Sequence, residues 1–385
     1  MAGRTYALVI LALVSATFLM LTVTSSATFT APTANPSNQL ATATLAASTG
    51  VSATVQSNGG TVRVVWTATS STWASGHRVF RGTAAGGPYS QIQQIAGLAT
   101  VTYDDVPGVG TFFYVVRSYY NANGANWESA NSAQVSAKPL DHFGFAVIAT
   151  QHSGTAFNVT ITAQAQDNST VTGFTGTVAL ATSSGTVAPT TSGAFVAGVR
   201  TESVTITGPY KTNQTISVTG GSPSRTGTSA VFVLDHFRAT AVAISNKTGG
   251  VAGKPENGDT ITLSFNEAAN IATLGACNGA TTSGIDLLTN DANPDTMTAL
   301  NTNLAFGTIG LGNNGYFTGN KNAKNSTCAW NGSNTVLTIT LQGVASVGTV
   351  AGASTATWTP HQWMTSASGE AIDLTQTPSI TAVLF

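Results

Sequence analysis

Histidine is the side chain of this sequence best suited to acid–base or metal chemistry at neutral pH, because its ordinary pKa is about 6.5. The five histidines are dispersed along the chain: His77, His142, His152, His236 and His361. None stands in the His-Glu-x-x-His spacing that puts two zinc ligands on one face of a helix. A Gly-x-Ser-x-Gly turn, which would expose a nucleophilic serine, is absent as well. We therefore expect no enzymatic activity and no cofactor.

The segment Asp291-Ala292-Asn293-Pro294-Asp295 offers oxygen side chains at alternate positions, as a calcium loop does. Thr296 stands where such a loop needs glycine, and Thr302 stands where it needs a bidentate glutamate. A pair of Asx turns is therefore the favoured interpretation, with calcium on Asp291, Asn293 and Asp295 as the alternative. Three other acidic residues could form a second site only if the fold brings them together: Asp259, Glu267 and Asp373.

Cys277 and Cys328 are the only cysteines of the chain. In an oxidising compartment, an even pair most simply forms a disulfide. Closing a loop of about 50 residues would contribute ~4 kcal/mol through the lower entropy of the unfolded chain. The alternative is two unpaired buried thiols.

The composition predicts an all-β extracellular protein. Charged residues make up 8% of the chain and hydrophobic residues 42%, so there is enough apolar surface for a packed core. Thr, Ser, Asn and Gly replace the missing charge, a mixture that suits strand faces and turns. The net charge is −1, and the 14 Lys and Arg residues form no basic stripe. Nucleic-acid binding is therefore not expected.

The N-terminus has the pattern of a signal peptide, residues 1–27. Arg4 precedes an almost wholly apolar stretch, residues 6–23, and small residues that suit a signal peptidase follow at Ser25, Ser26 and Ala27. The pattern predicts export to the extracellular space or a bacterial cell surface. If the leader is not cut, the stretch is long enough to span a bilayer, and the protein would be a membrane-anchored stalk.

Residues 28–45 form an uncharged linker that contains Pro32 and Pro36. Together with Ala27, its sequence resembles the start of camelysin-like surface proteins, in the segments Ala27–Thr30, Asn35–Asn38 and Ala41–Leu45. That resemblance implies processing by a dedicated signal peptidase. The linker is interpreted as a flexible spacer. The alternative is that it adds as a strand to a neighbouring copy and lets the protein self-associate.

Alternating apolar residues predict strands in residues 46–139, and the order of motifs there resembles bacterial fibronectin type III domains. The segments that carry the resemblance are Val64–Trp66, Gly76–Arg81, Gly86–Tyr89, Tyr103–Asp105 and Tyr114–Arg117. Two positions depart from that family. His77 replaces a usual tyrosine, and Phe112 replaces a corner tyrosine, which implies the loss of one hydroxyl hydrogen bond.

The fibronectin type III resemblance places Trp73 and Trp127 in loops at the same pole of the sandwich. With Tyr119 and Tyr120 they would form a binding patch for a sugar ring or a protein. The alternative is that Trp127 folds back over the edge of the core.

Leu140-Asp141-His142-Phe143 returns 94 residues later as Leu234-Asp235-His236-Phe237, and one sandwich is about 100 residues long. We interpret the repeat as a connector that opens two successive domains, 140–233 and 234–385, rather than as a metal or catalytic site. The first resembles bacterial immunoglobulin-like repeats. The second does so through Gly258–Glu267 and Asn334–Leu341, which flank a long insertion bracketed by the two cysteines.

The predicted fold is thus a series of antiparallel β-sandwiches, one fibronectin type III-like and two immunoglobulin-like. The predicted function is that of a non-enzymatic modular spacer and adhesion or binding protein, whose protein or glycan ligand the sequence does not identify. The alternative is an accessory part of a secreted polysaccharide-degrading system.

Overall fold

The computed structural model of the chain describes residues 44–385, apart from 123–124, 273–276, 278–280 and 300–305. The leader and its camelysin-like residues, with most of the linker, lie outside this range. Antiparallel strands dominate the described part, as predicted, and they pack around three hydrophobic cores. Among the described residues, no helix has the length and apolarity needed to cross a membrane. We name the parts that contain the three cores domains 1, 2 and 3, in chain order.

Domain 1 is a sandwich of two sheets, one in the order β1-β2-β5 and the other in the order β4-β3-β6, with β7 and β8 both paired to β6. This is the arrangement that the fibronectin type III resemblance implies. Alternate residues of β2, Val62, Val64 and Trp66, point into the core. The strands are β1 (Thr49–Val55), β2 (Val62–Thr67), β3 (Gly76–Gly82), β4 (Ser90–Ala96), β5 (Thr102–Asp105), β6 (Phe112–Ala122), β7 (Ala125–Glu128) and β8 (Val135–Ala137).

Domain 1 contains a buried tyrosine hydrogen bond close to the corner position of Phe112. Phe112 is buried in the core, and the fully buried Tyr114, two residues on, donates its hydroxyl to Oδ2 of Asp105 at 2.8 Å. Arg81 holds the same carboxylate from the other side at 2.9 Å. Burial, followed by the hydrogen bond to Asp105, raises the pKa of Tyr114. Phe112 itself has no hydroxyl to donate, so the implied loss of stability at Phe112 stays a prediction.

Domain 2 has the strand order of an immunoglobulin constant-type sandwich, with β13-β14-β11-β9 facing β12-β16-β17. A third small sheet, β10-β18-β15, closes one end, and its β10 and β18 run parallel. The strands are β9 (His142–Phe145), β10 (Gln151–His152), β11 (Ala156–Gln164), β12 (Val178–Thr182), β13 (Thr186–Ala188), β14 (Val199–Thr207), β15 (Lys211–Gln214), β16 (Ile216–Gly220), β17 (Arg225–Thr228) and β18 (Phe232–Asp235).

Domain 3 is a nine-stranded sheet, in the order β19-β20-β25-β24-β21-β22-β23-β26-β27, and it curls until β19 comes near β27. Phe265 lies at the centre of its core, with its ring 5.5 Å from Phe237 and 5.3 Å from Trp358. The strands are β19 (Ala239–Ser245), β20 (Thr260–Phe265), β21 (Thr281–Asn290), β22 (Thr296–Ala299), β23 (Thr308–Gly310), β24 (Lys321–Trp330), β25 (Val336–Thr340), β26 (Ser354–Thr359) and β27 (Ser379–Ala382).

The predicted insertion of domain 3 is part of its sheet. It supplies β21 to β24, which stand between β25 and β26 in the strand order. Ile285, Leu287, Met297 and Ile309 turn into the core from these strands. Thr and Asn fill much of the remaining surface of the strands, so the segment has the composition of a loop although it forms strands.

Domains 1 and 2 are joined by backbone hydrogen bonds at the turn between β1 and β2. The amide of Leu140 donates to the carbonyl of Gly59 at 2.8 Å, and the amide of Ser222 donates to the carbonyl of Asn58 at 2.9 Å. A Cβ at Gly60 would lie 2.2 Å from the Ser222 carbonyl oxygen and 2.6 Å from Cδ of Pro223. Glycine is therefore required here by close approach of two backbones.

We expect Gly60→Ala to open this junction, because the added methyl cannot fit without moving the Ser222 backbone. Overpacking of this kind costs about 1–3 kcal/mol. Hydrogen exchange at the Ser222 and Leu140 amides should accelerate at least tenfold, while the amides of β6 keep their protection. Gly332→Ala is the matched control, since a Cβ there meets nothing within 4 Å. Unchanged exchange in Gly60→Ala would contradict the close approach.

Domains 2 and 3 meet through a second set of contacts. The Tyr210 amide donates to Oδ2 of Asp373 at 2.8 Å, and the guanidinium of Arg238 lies 3.7 Å from the centre of the Tyr210 ring. Arg238 also forms an ion pair with Asp235. Only residues 236–238 separate β18 of domain 2 from β19 of domain 3, so the connection is short as well as bonded.

Candidate functional site

Three of the four predicted patch residues form an exposed aromatic row on domain 1. Trp73 comes from the loop between β2 and β3, Tyr120 from β6, and Trp127 from β7, directly opposite Tyr120 in the register. Ring centres are 5.4 Å apart for Trp73 and Tyr120 and 5.6 Å apart for Tyr120 and Trp127. Trp73 is 37% exposed and Trp127 57% exposed. We call Trp73, Tyr120 and Trp127 the aromatic row.

Tyr119 does not belong to the aromatic row. Neighbouring residues of a strand face opposite sides of the sheet, so Tyr119 points away from Tyr120 and is buried. The guanidinium of Arg78 covers it, 4.5 Å from its ring centre. Trp127 also differs from its predicted position, because it lies on a strand rather than in a loop. Its exposure shows that it does not fold back over the core.

The charged side chains of the same sheet lie on the face that carries Tyr119 and are paired with each other. Glu128 accepts hydrogen bonds from Arg78 at 2.5 Å and from Arg117 at 2.8 Å. Burial alone would raise the pKa of Glu128, but these two hydrogen bonds and charges outweigh burial and lower it. Because side chains alternate along β6 and β7, these charges lie on the face opposite Tyr120 and Trp127, and the row is an apolar strip suited to stacking rather than to ionic binding.

In the acidic segment of domain 3, the Asp295 carboxylate is an acceptor for backbone amides. The buried Asp295 carboxylate accepts backbone N–H groups from Tyr316 and Phe317 on Oδ2, at 2.8 and 2.9 Å, and from Ala292 on Oδ1 at 3.3 Å. Three amide hydrogens therefore point at this carboxylate, where a calcium ion would need bare oxygens. Asp291 is exposed and lies apart from this arrangement.

The other three carboxylates singled out by sequence do not converge. Asp259 accepts the amides of Lys247 and Glu256 within its own loop, at 3.0 and 2.6 Å. Asp373 holds Tyr210 across the junction of domains 2 and 3. Glu267 alone enters a cluster, with partners that the sequence analysis did not select.

Two histidines and two glutamates meet between domains 2 and 3, and we call them the His–Glu cluster. His152 ends β10, His236 lies between β18 and β19, Glu267 follows β20, and Glu370 precedes β27. Nε2 of His152 is 3.1 Å from Oε1 of Glu267 and 3.3 Å from Oε2 of Glu370. Nε2 of His236 is 3.5 Å from Oε1 of Glu370. All four side chains are partly buried.

Hydrogen bonds fix both imidazole rings of the His–Glu cluster. Nδ1 of His152 lies 3.2 Å from the Ser153 carbonyl, and Nδ1 of His236 lies 3.1 Å from the Phe237 carbonyl. Burial lowers the pKa of His152, but the hydrogen bonds and charges of its partners outweigh burial and raise it. Burial raises the pKa of Glu370, more than the Phe237 amide and the two histidines lower it. The cluster thus holds two imidazole rings beside two carboxylates in one partly buried place.

The remaining histidines have local roles. His77 is buried, with its ring edge-on to Trp66 at 5.6 Å, and burial lowers its pKa. His142, in the first copy of the repeat, pairs with the neighbouring Asp141 at 2.9 Å. His361 contacts the exposed Trp363, with ring centres 4.8 Å apart. The second copy of the repeat is more than a connector, because its His236 faces Glu370.

The predicted disulfide is present. Cys277 and Cys328 are bonded, with their Cα atoms 5.9 Å apart, and both are buried in the core of domain 3. Nε1 of Trp330 donates to the Cys277 carbonyl at 2.8 Å. The disulfide therefore connects β24 to the segment that precedes β21.

No protein-family model and no curated protein matches the sequence. Among solved structures, an Fn3-like protein from Clostridium thermocellum is 31% identical over 24% of this chain and 92% of its own, with a TM-score of 0.21. Domains 4–9 of the surface layer protein SbsC are 15% identical over 88% of this chain and 47% of their own, with a TM-score of 0.22. The FN1–FN3 domains of chicken CNTN1 are 10% identical over 88% of this chain and 99% of their own, with a TM-score of 0.21. The strand order within the chain itself identifies domain 1 as fibronectin type III-like and domain 2 as immunoglobulin-like.

Proposed function

We propose that the chain is a non-enzymatic modular binding protein of the extracellular space, at a bacterial cell surface or in its matrix. In this proposal the aromatic row of domain 1 holds a glycan, and domains 2 and 3 act as a spacer. The single observation that carries the proposal is the row itself, in which Tyr120 contacts both Trp73 and Trp127 and both tryptophans are exposed.

The exposure of the aromatic row favours a glycan over a protein partner. A sugar ring has an apolar face, which stacks on aromatic rings, and a rim of hydroxyls, which needs hydrogen-bonding groups. The row offers the stacking surface, because the Tyr120 ring lies 5.4 Å from that of Trp73 and 5.6 Å from that of Trp127, and both tryptophans are exposed. A protein hot spot is instead surrounded by near-neutral contacts that exclude water.

The spacer part of the proposal rests on the two junctions. Each joins neighbouring domains by hydrogen bonds, through Gly59 and Asn58 on one side and through Tyr210 and Asp373 on the other. Extracellular placement rests on the leader pattern, and N-terminal sequencing of the secreted protein decides between cleavage after Ala27 and a membrane-anchored stalk. Self-association through residues 28–45 is tested by light scattering on chains that begin at Thr28 or at Ala46.

The glycan is tested by affinity electrophoresis through gels that contain carboxymethyl cellulose, xylan or glycol chitin. We expect retardation in at least one gel, and we expect Trp127→Ala and Trp73→Ala each to weaken it about tenfold or more, equivalent to 1.4 kcal/mol. Trp363→Ala is the matched control, because this tryptophan is equally exposed but lies in domain 3. The proposal would be contradicted if no polysaccharide retarded the protein. It would also be contradicted if all three variants lost retardation equally.

An accessory role in a polysaccharide-degrading system is the second candidate, and the same aromatic row favours it. The two candidates differ in the partner of the chain rather than in its ligand. Recovery of a glycoside hydrolase in stoichiometric complex with the secreted chain would favour the accessory role. Recovery with the cell envelope after washing would favour the surface role.

A further inference from the structure

We propose that the His–Glu cluster is a binding site for one divalent transition-metal ion of the zinc class, which cross-links domain 2 to domain 3. Its ligands are Nε2 of His152, Oε1 of Glu267 and Oε2 of Glu370, and all three atoms lie within 4.8 Å of one another. His152 belongs to domain 2 and both glutamates belong to domain 3. The inference is independent of the aromatic row and of its ligand.

The spacing of the donor atoms matches that of a tetrahedral zinc site. Zinc–nitrogen and zinc–oxygen bonds of about 2.0–2.2 Å at tetrahedral angles put neighbouring ligand atoms about 3.3–3.5 Å apart. Nε2 of His152 is 3.1 Å from the Glu267 oxygen and 3.3 Å from the Glu370 oxygen. The three donors can therefore close on one ion with small side-chain movements.

The direction of the imidazole lone pair supports the same conclusion. The Ser153 carbonyl lies at hydrogen-bond distance from Nδ1 of His152, so the neutral ring keeps its hydrogen there. On Nε2, the ion takes the place of the hydrogen that the ring shares with the Glu267 oxygen, 3.1 Å away. Zinc-bound histidines in proteins characteristically donate their other ring N–H to a carbonyl or carboxylate in this way.

The outer groups hold the glutamates as well. Glu370 accepts the Phe237 amide at 3.1 Å on the proposed ligand atom, Oε2, and His236 faces its other oxygen at 3.5 Å. Asn266, beside Glu267, donates to Asp235 and to the His236 carbonyl at 3.2 and 3.1 Å. The ligands are therefore positioned by backbone contacts of the short connector between the two domains.

The donor set selects the class of metal. Imidazole nitrogen suits zinc, copper, nickel and iron, whereas calcium and magnesium prefer oxygen ligands alone. Only three protein ligands, one of them nitrogen, are too few for the six to eight oxygens that calcium requires. We therefore expect zinc or cobalt to bind and calcium or magnesium to bind at least a hundredfold more weakly.

The test is calorimetric titration of Zn²⁺ into the full chain, produced without a histidine tag and freed of metal with EDTA. We expect one ion per chain with a micromolar or lower Kd, and Co²⁺ in its place should give the visible absorption of tetrahedral coordination. His152→Ala and Glu267→Gln should each weaken binding at least thirtyfold. His142→Ala and His361→Ala are the controls, because these histidines lie outside the cluster and should leave binding unchanged.

Cross-linking gives a readout beyond affinity. Zn²⁺ should slow hydrogen exchange at the Tyr210 and Ser153 amides in the unsubstituted chain but not in His152→Ala. Circular dichroism of each variant checks that it is folded. The proposal is overturned if no stoichiometric binding occurs, if binding survives His152→Ala and Glu267→Gln in folded protein, or if Zn²⁺ leaves both amides unaffected.

Discussion

Replacing Cys277 and Cys328 together by alanine should lower the free energy of unfolding of domain 3 by about 4 kcal/mol. The bond closes a loop with a sequence separation of 51 residues, and removing it restores the entropy of that loop to the unfolded chain. Both sulfur atoms are buried in the core, so the bond is also part of the packing. Urea unfolding followed by the fluorescence of Trp330 and Trp358 measures the change.

Reductant provides the control for the disulfide prediction. Dithiothreitol should shift the urea midpoint of the unsubstituted protein toward that of the double variant and leave the variant itself unchanged. The hydrogen bond from Trp330 to the Cys277 carbonyl remains in both proteins, so their folded states should have similar near-ultraviolet spectra. Two free thiols in the denatured, unreduced protein would contradict the bond itself.

Asp295→Ala should destabilise domain 3 by about 3 kcal/mol, because it leaves buried backbone donors without their acceptor. Unsatisfied buried groups cost about 1–3 kcal/mol each, and the Tyr316 and Phe317 amides both lose a charged partner. The measurement is again the urea midpoint. Asp291→Ala is the matched control from the same segment, and its exposed side chain should change stability by less than about 0.5 kcal/mol.

Calcium separates the turn interpretation from the alternative that the sequence left open. We expect no change in the melting temperature when Ca²⁺ is added to the EDTA-treated protein. A rise that requires both Asp291 and Asp295 would show that the segment binds the ion after all. Equal effects of Asp291→Ala and Asp295→Ala on stability would likewise contradict the role of Asp295 as an acceptor for backbone amides.

The class of fold could be read from local patterns, because strands with one buried face alternate in a way that sequence records directly. The alternation of Val62, Val64 and Trp66 with Arg63 and Val65 predicts a strand with one buried face, and these three residues are buried. Tyr119 was misassigned although the same alternation applies to it, since Tyr120 and Tyr119 cannot share a face of one strand. The signal was present in the sequence and would have removed Tyr119 from the patch.

Two other features were hidden for physical reasons. The strands β21 to β24 carry Thr, Asn and Gly where a typical strand carries larger residues. The alternation of apolar and polar residues that marks a strand is therefore hard to recognise in their sequence. The His–Glu cluster depends on contacts between distant segments, with 115 residues between His152 and Glu267 along the chain. No spacing rule reaches across two domains, and only the pairing of β10 with β18 places His152 beside the connector.

The parallel pairing of β10 with β18 decides how domain 2 responds to tension. Pulling on the neighbouring domains draws β10 toward the N-terminus and β18 toward the C-terminus. Antiparallel β9 can be peeled from β11 one bond at a time, but parallel strands drawn in opposite directions must slide along each other. The bonds around Gln151, His152 and Ser153 are then sheared together. This short pair of strands is therefore the part of domain 2 that resists unfolding when the domain is pulled from both ends.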